Sequence, residues 1–171
     1  LWQFAEPLMQ QLAGELKEAC SAAVLEGGDI VYVLRVPAHK IMSIHLGVGS
    51  RLPAHCSSMG RVLLAGLPGE ERERRVMAMD LRAQTPKTIT DPERLLGVLG
   101  EVRRKGFALV SEELELGLMS LAVPVMDRAG RVVAALNVST QPQQRTATEL
   151  REQCLPLLQA VARRIGETMA R

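Results

Sequence analysis

The sequence predicts an α/β (α+β) sandwich, with helices laid on a mainly antiparallel sheet. Three observations carry that prediction. The apolar, β-tolerant segments fall into two groups, and each group contains a hairpin signal: Gly27-Gly28 in the first, Asp127-Arg128-Ala129-Gly130 in the second. Helical periodicity separates the two groups. Amphipathic helices also open and close the chain, so the predicted order is α-β-β-β-α-α-α-β-β-β-α, with the two end helices together on one face.

Phe4, Leu8, Leu12 and Leu16 recur at a period near four, predicting a helix from Trp2 to Glu18. Ala19 to Leu25 and Ile30 to Val36 read as the strands of the first hairpin. Lys40 to Leu46 alternates and reads as a third strand. Ser57 to Leu67 is a short helix stopped by Pro68, and Glu70 to Met79 is a charged helix with Val76 and Met77 facing inward. The run Glu70 to Arg75 is read as a solvated helix face. Leu81 to Ile89 has no periodicity. Thr90 or Asp91 caps a helix that has Pro92 in its first turn and ends at Lys105, before Gly106. Phe107 to Ser111, Leu118 to Met126 and Arg131 to Ser139 are strands. A long helix from Thr146 to Met169 closes the chain, with a bend expected at Pro156.

A chain of 171 residues suits one domain with a single sizeable core. Hydrophobic residues make up 47%, yet aromatics only 2%, so that core must be aliphatic with Met as filler. The net charge of +2 gives no electrostatic footprint for nucleic acid or membrane. The cysteines Cys20, Cys56 and Cys154 are an odd set without CxxC spacing, as expected of reduced thiols in a cytoplasmic protein. No apolar run is long enough to span a bilayer, and no signal peptide is expected ahead of Leu1. The chain starts in helical periodicity, which suggests a piece of something longer. No cofactor is expected.

The segment from Gly47 to Ala65 is the most informative. It runs from a glycine-flexed strand end, through a turn fixed by Pro53, into a helix opened by Ser57 and Ser58. Such a corner exposes backbone N–H groups at the helix start, where an anion can settle. A small carboxylate would accept hydrogen bonds from the N–H groups around Ser58, Met59 and Gly60. Ser120, Asn137 and Ser139 would hold a second polar end, because strand alternation puts Asn137 and Ser139 on one face and Leu136 and Val138 on the other. If that face is buried, its polar groups need partners. Arg61 or Arg51 would supply a cation for a dicarboxylate, with His55 a further donor.

Other chemistry is weaker. Cys56 beside His55 at a helix start suggests a nucleophile, but neighbouring side chains diverge and no third group orients the histidine. It reads more simply as a thiol lining a pocket. His39, His45, His55 and Cys56 share no recognised metal spacing. Glu112 and Glu113 suggest acid–base work, yet adjacent residues on extended backbone face opposite ways. One is expected to cap backbone N–H groups and the other to be solvated. An enzyme using Cys56 or Glu113 is therefore the alternative to a binding domain.

The whole chain resembles the C-terminal effector-binding domain of IclR-type transcriptional regulators. The resemblance rests on Gly49-x-x-Leu52-Pro53-x-His55-Cys56-Ser57-Ser58-x-Gly60-Arg61-x-Leu63-Leu64-Ala65, on Thr88-Ile89-Thr90-Asp91 and on Val102-Arg103-x-x-Gly106-Phe107-Ala108. Glu112-Glu113-x-x-x-Gly117-x-x-Ser120-Leu121-Ala122-x-Pro124, followed by Asp127 and Gly130, completes it. The wording from Gly49 to Arg61 is most similar to the subgroup controlling protocatechuate, 4-hydroxybenzoate and β-ketoadipate catabolism. The resemblance implies a GAF-like fold with a six-stranded antiparallel sheet. It also implies a winged helix-turn-helix domain ahead of Leu1, through which alone DNA would be bound, and self-association as a dimer or tetramer. Effector contacts would fall on Ile41, Ile44, Ser58, Met59, Leu118, Ser120, Asn137 and Ser139. Ser58-Met59 stands where simpler members have Gly-Ala, and Asn137 replaces a frequent serine. The implied function is to sense a small carboxylate such as β-ketoadipate or protocatechuate, with no membrane partner.

Overall fold

The computed structural model describes residues 1–38 and 46–169. The predicted element order is present: α1 (Trp2–Leu16), β1 (Ala19–Glu26), β2 (Asp29–Val36), β3 (Arg51–Pro53), α2 (Ser58–Ala65), α3 (Gly69–Ala78), α4 (Pro92–Lys105), β4 (Ala108–Ser111), β5 (Met119–Met126), β6 (Val132–Thr140) and α5 (Ala147–Thr168). The strands form one six-stranded sheet in the order β3-β2-β1-β6-β5-β4, with every neighbouring pair antiparallel. The outermost strands of each hairpin group lie at the edges, and β1 and β6 join the two groups at the centre.

Local chemistry sets the boundaries. α1 ends because Lys17 turns into the left-handed region (φ 57°), its N–H still bonded to the Ala13 carbonyl. Asp91 caps α4 by accepting the Arg94 N–H at 3.2 Å, and Gly106 (φ 81°) closes that helix in a conformation glycine adopts without strain. Thr146 and Glu149 form a reciprocal capping box at the start of α5, which continues on both sides of Pro156.

The third strand differs from the reading of the sequence. The predicted strand at 40–46 lies outside the described residues except for Leu46, which is not in a strand. The third strand here is β3, where Arg51, Leu52 and Pro53 pair with Val31, Ile30 and Asp29. The sequence reads there as a turn fixed by Pro53. Pro53 can belong to a strand because β3 is an edge and the missing N–H costs no ladder bond.

Two layers of helix cover the sheet. α1 and α5 lie together on one face, as expected, over an aliphatic core that includes Met9, Leu121, Leu136, Val138, Leu158 and Ile165. α2, α3 and α4 cover the other face, where the strands offer Ala23, Ala108, Ala122 and Ala135. Those small side chains let α2 press against the sheet, and all of its residues are buried. Its first turn is tucked under the preceding corner: a Cβ on Gly60 would lie 2.1 Å from the Ala54 carbonyl oxygen, so only glycine fits there. Among the described residues, no helix is long and apolar enough to cross a membrane.

Candidate functional site

Alternation along β6 decides where the site lies. Leu136 and Val138 enter the core beneath α1 and α5, while Asn137 and Ser139 face α2. The register places Ser139 opposite Ser120 of β5, and Asn137 between Ala122 of β5 and Ser21 of β1. Ser58, the first residue of α2, descends onto this patch, and Ser120 Oγ donates to Ser58 Oγ at 2.7 Å. Asn137 Nδ2 donates to Ser139 Oγ at 3.3 Å.

Among the described residues Asn137 Oδ1 has no partner, although the residue is only 4% exposed. A buried carbonyl oxygen left unpaired costs about 1–3 kcal/mol, and none of the described residues donates to this one. Donors with no acceptor lie nearby. Ser57 caps α2 by taking the Gly60 N–H on its hydroxyl at 3.1 Å and the Arg61 N–H on its carbonyl at 3.0 Å. The N–H groups of Ser58 and Met59 meet no acceptor among the described residues. They form the positive end of the helix.

A cavity of about 20 Å³ lies between these groups. It has room for about one water molecule, so the site is closed in this structure. Its walls include six of the residues singled out from the sequence: Ser58, Met59, Leu118, Ser120, Asn137 and Ser139. Cys56 and Ser57 line it as well, and Ile30 and Tyr32 of β2, Leu52 of β3, Val110 and Leu114 complete it and were missed. The β2 pair carried a usable signal, since alternation puts Ile30 and Tyr32 on one face; Leu114 sits in a loop with no periodicity to read. A larger open cleft of about 470 Å³ lies between the β1–β2 turn, α3 and the 79–84 segment. Its charged side chains and His55 are already engaged: His55 Nε2 with the Arg82 carbonyl, Arg75 with the Gly27 carbonyl and Glu71, Arg82 with Asp80, and Asp29 with Arg51.

Several expectations need correction. Arg61 does not face the cavity. It is 3% exposed and makes a two-pronged pair with Glu113, at 2.8 and 2.5 Å, while its Nε donates to the His55 carbonyl. Glu113 is accordingly not solvated, and it also accepts the Ile89 N–H. Glu112 is the N–H cap, holding Gly117; that bond, with Lys87 beside it, keeps its carboxyl below the usual range. Gly60 serves packing, and its N–H is spent on Ser57. Arg51 is a surface residue paired with Glu26 and Asp29. His55 is buried and bonded to Arg82, away from the cavity.

Cys56 does line the cavity, but its thiol is pushed up to about 11 by burial, despite the pull of Arg61. A buried neutral thiol with no base in contact is a poor nucleophile. Ile41, Ile44, His39 and His45 lie outside the described residues. Among the described residues no cluster of His, Cys, Asp and Glu is placed to hold a metal.

Comparison with known proteins fixes the family. Residues 1–167 match the family model described as "Bacterial transcriptional regulator IclR C-terminal". The chain belongs to this family. It is 43% identical over 160 residues to the Pca regulon regulatory protein of Pseudomonas putida, covering 93% of this chain and 55% of that protein. The chain thus spans about half the length of that relative. The inducer-binding domain of PobR from Acinetobacter, solved as a double mutant with 3-hydroxybenzoic acid, superposes with a TM-score of 0.91 at 34% identity, covering 98% of both chains. An IclR homologue from Microbacterium hydrocarbonoxydans in complex with 4-hydroxybenzoate superposes at 0.83 with 31% identity, covering 96% of this chain and 65% of that one. IclR-type proteins are transcriptional regulators, not enzymes, which sets aside the alternative built on Cys56 or Glu113. The α+β sandwich and its antiparallel sheet are those of the IclR effector domains.

Proposed function

We propose that this IclR-type domain senses a small organic acid in the cavity beneath α2, and that the full regulator uses it to control genes for aromatic-compound catabolism. The carrying observation is Asn137 Oδ1, which has no partner among the described residues and faces a cavity also lined by Ser58 and Met59, the first residues of α2. A carboxylate suits the helix start, where the N–H groups and the Ser58 and Ser120 hydroxyls donate to it. A hydroxyl, or a water held by the ligand, suits Asn137 and Ser139. The hydroxybenzoate complexes of two relatives support the pairing of these two chemistries. The relative named for the Pca regulon supports a role in aromatic catabolism, with protocatechuate and β-ketoadipate as candidate effectors.

Entry of such an acid requires the cavity to widen. Met59, unbranched and adaptable, and the half-buried Leu114 and Leu118 are the walls that can give way. Ile41 and Ile44 remain candidate wall residues. The bound acid would favour one subunit arrangement of a dimer or tetramer over another, and so the spacing of helix-turn-helix domains carried ahead of Leu1, in a cytoplasmic regulator. Thermal unfolding with protocatechuate, 4-hydroxybenzoate and β-ketoadipate tests the reading. A ligand that binds the folded state at 100 times its Kd adds about 2.7 kcal/mol and raises the melting temperature by several degrees. A melting temperature that none of the three moves contradicts it.

A further inference from the structure

The cavity's polar floor continues beyond its walls. Asn137 lies opposite Ser21 on β1, and Ser21 in turn lies opposite Arg35 on β2, so the three side chains occupy one row on the α2 face. Ser21 is fully buried, and Arg35 Nη1 reaches back to donate to its hydroxyl at 3.3 Å. The guanidinium also stands 6.0 Å from the ring centroid of Tyr32, which is itself a wall of the cavity. Arg35 is half-buried, and among the described residues its one bond, to a neutral hydroxyl, leaves most of its five N–H donors unused. Among the described residues it pairs with no carboxylate. Arg51 and Arg61, the other arginines near this corner, are both engaged by acidic partners.

We infer that Arg35 is a second anion-binding pole, so that the site favours acids with two carboxylates over acids with one. The inference rests on the acid-binding reading above. One carboxylate would take the α2 start and Ser120. The other would meet Arg35 across Ser21, displacing only a neutral hydroxyl contact. Ser120 lies opposite Ser139 and Ser21 opposite Asn137, so the two serines stand two interstrand spacings and two residues apart, about 12 Å, which suits a linear diacid lying diagonally across the sheet. Arginine presents a planar fork to a carboxylate, so a two-pronged bond at this pole is geometrically available.

The test compares adipate with monomethyl adipate, two acids of nearly the same shape that differ by one charge, by calorimetric titration of this chain. The wild type should bind adipate at least about tenfold more tightly than the half-ester. Arg35→Gln should lose that preference by weakening adipate about tenfold while leaving the half-ester unchanged, and Arg35→Lys should recover part of it. An unchanged half-ester affinity also shows that the variant is folded. Three results overturn the inference: no preference for adipate in the wild type, a preference indifferent to position 35, or an equal loss of both ligands in Arg35→Gln. Binding of both acids with a ratio independent of Arg35 leaves the pocket standing; failure of both acids and of the three aromatic-pathway acids to bind removes the pocket as well.

Discussion

The two faces of strand β6 were built from consecutive residues for opposite purposes. Leu136 and Val138 go into a core of aliphatic side chains sealed by α1 and α5. Asn137 and Ser139, their immediate neighbours, face a cavity where the acceptor Asn137 Oδ1 has no partner among the described residues. The first face is closed-packed and gains stability from each apolar group it buries. The second gives some of that up to stay polar and slightly hollow. The strand therefore shows where stability has been traded for recognition, and the trade is confined to alternate residues.

The comparison can be broken most forcefully at the support of the hollow face. Glu113→Gln leaves the buried Arg61 without its counter-charge and should destabilise the domain by about 3–5 kcal/mol in urea unfolding. A loss below about 1 kcal/mol would mean that the pair is not what holds the α2 corner to the 112–117 loop. On the closed face, Leu136→Ala should cost about 2–5 kcal/mol by the same measurement, because a fully buried side chain leaves a cavity behind. Ser120→Ala removes one hydrogen bond at the edge of the hollow, and should cost only about 0.5–1.5 kcal/mol while weakening acid binding.

The smallest effect concerns Cys56. Its raised value means that the neutral thiol is favoured in the folded state, so iodoacetamide should label it far more slowly at pH 8 than a peptide thiol. Stability tied to this thiol is present below its ordinary value of 9 and is lost as pH rises from there towards about 11. Bound acid should slow the labelling further, since the thiol lines the cavity. Labelling as fast as that of the peptide would show the cavity to be open.

Most of the fold was legible because the sequence follows local rules. The α4 boundaries, from Asp91 and Pro92 to Gly106, match the prediction, and the alternation in β6 put Asn137 and Ser139 on the correct face. The misses have physical causes. β3 is too short for a period, and Pro53 masked it. Lys17 ended α1 in a conformation that sequence seldom signals outside glycine and asparagine. In the site, charge was misassigned because Arg61 and Glu113 are 52 residues apart and nothing local pairs them. Arg35 drew no notice because its proximity to Asn137 exists only once β2, β1 and β6 lie side by side.

Asn137→Leu tests the account most directly, read as the melting temperature of the ligand-free domain and its shift on adding protocatechuate, 4-hydroxybenzoate or β-ketoadipate. The account predicts that the variant is at least as stable as the wild type without ligand, because a costly unpaired oxygen is gone and the hollow is filled, while the shift with ligand disappears. A destabilised variant that still responds fully to the acids would contradict it.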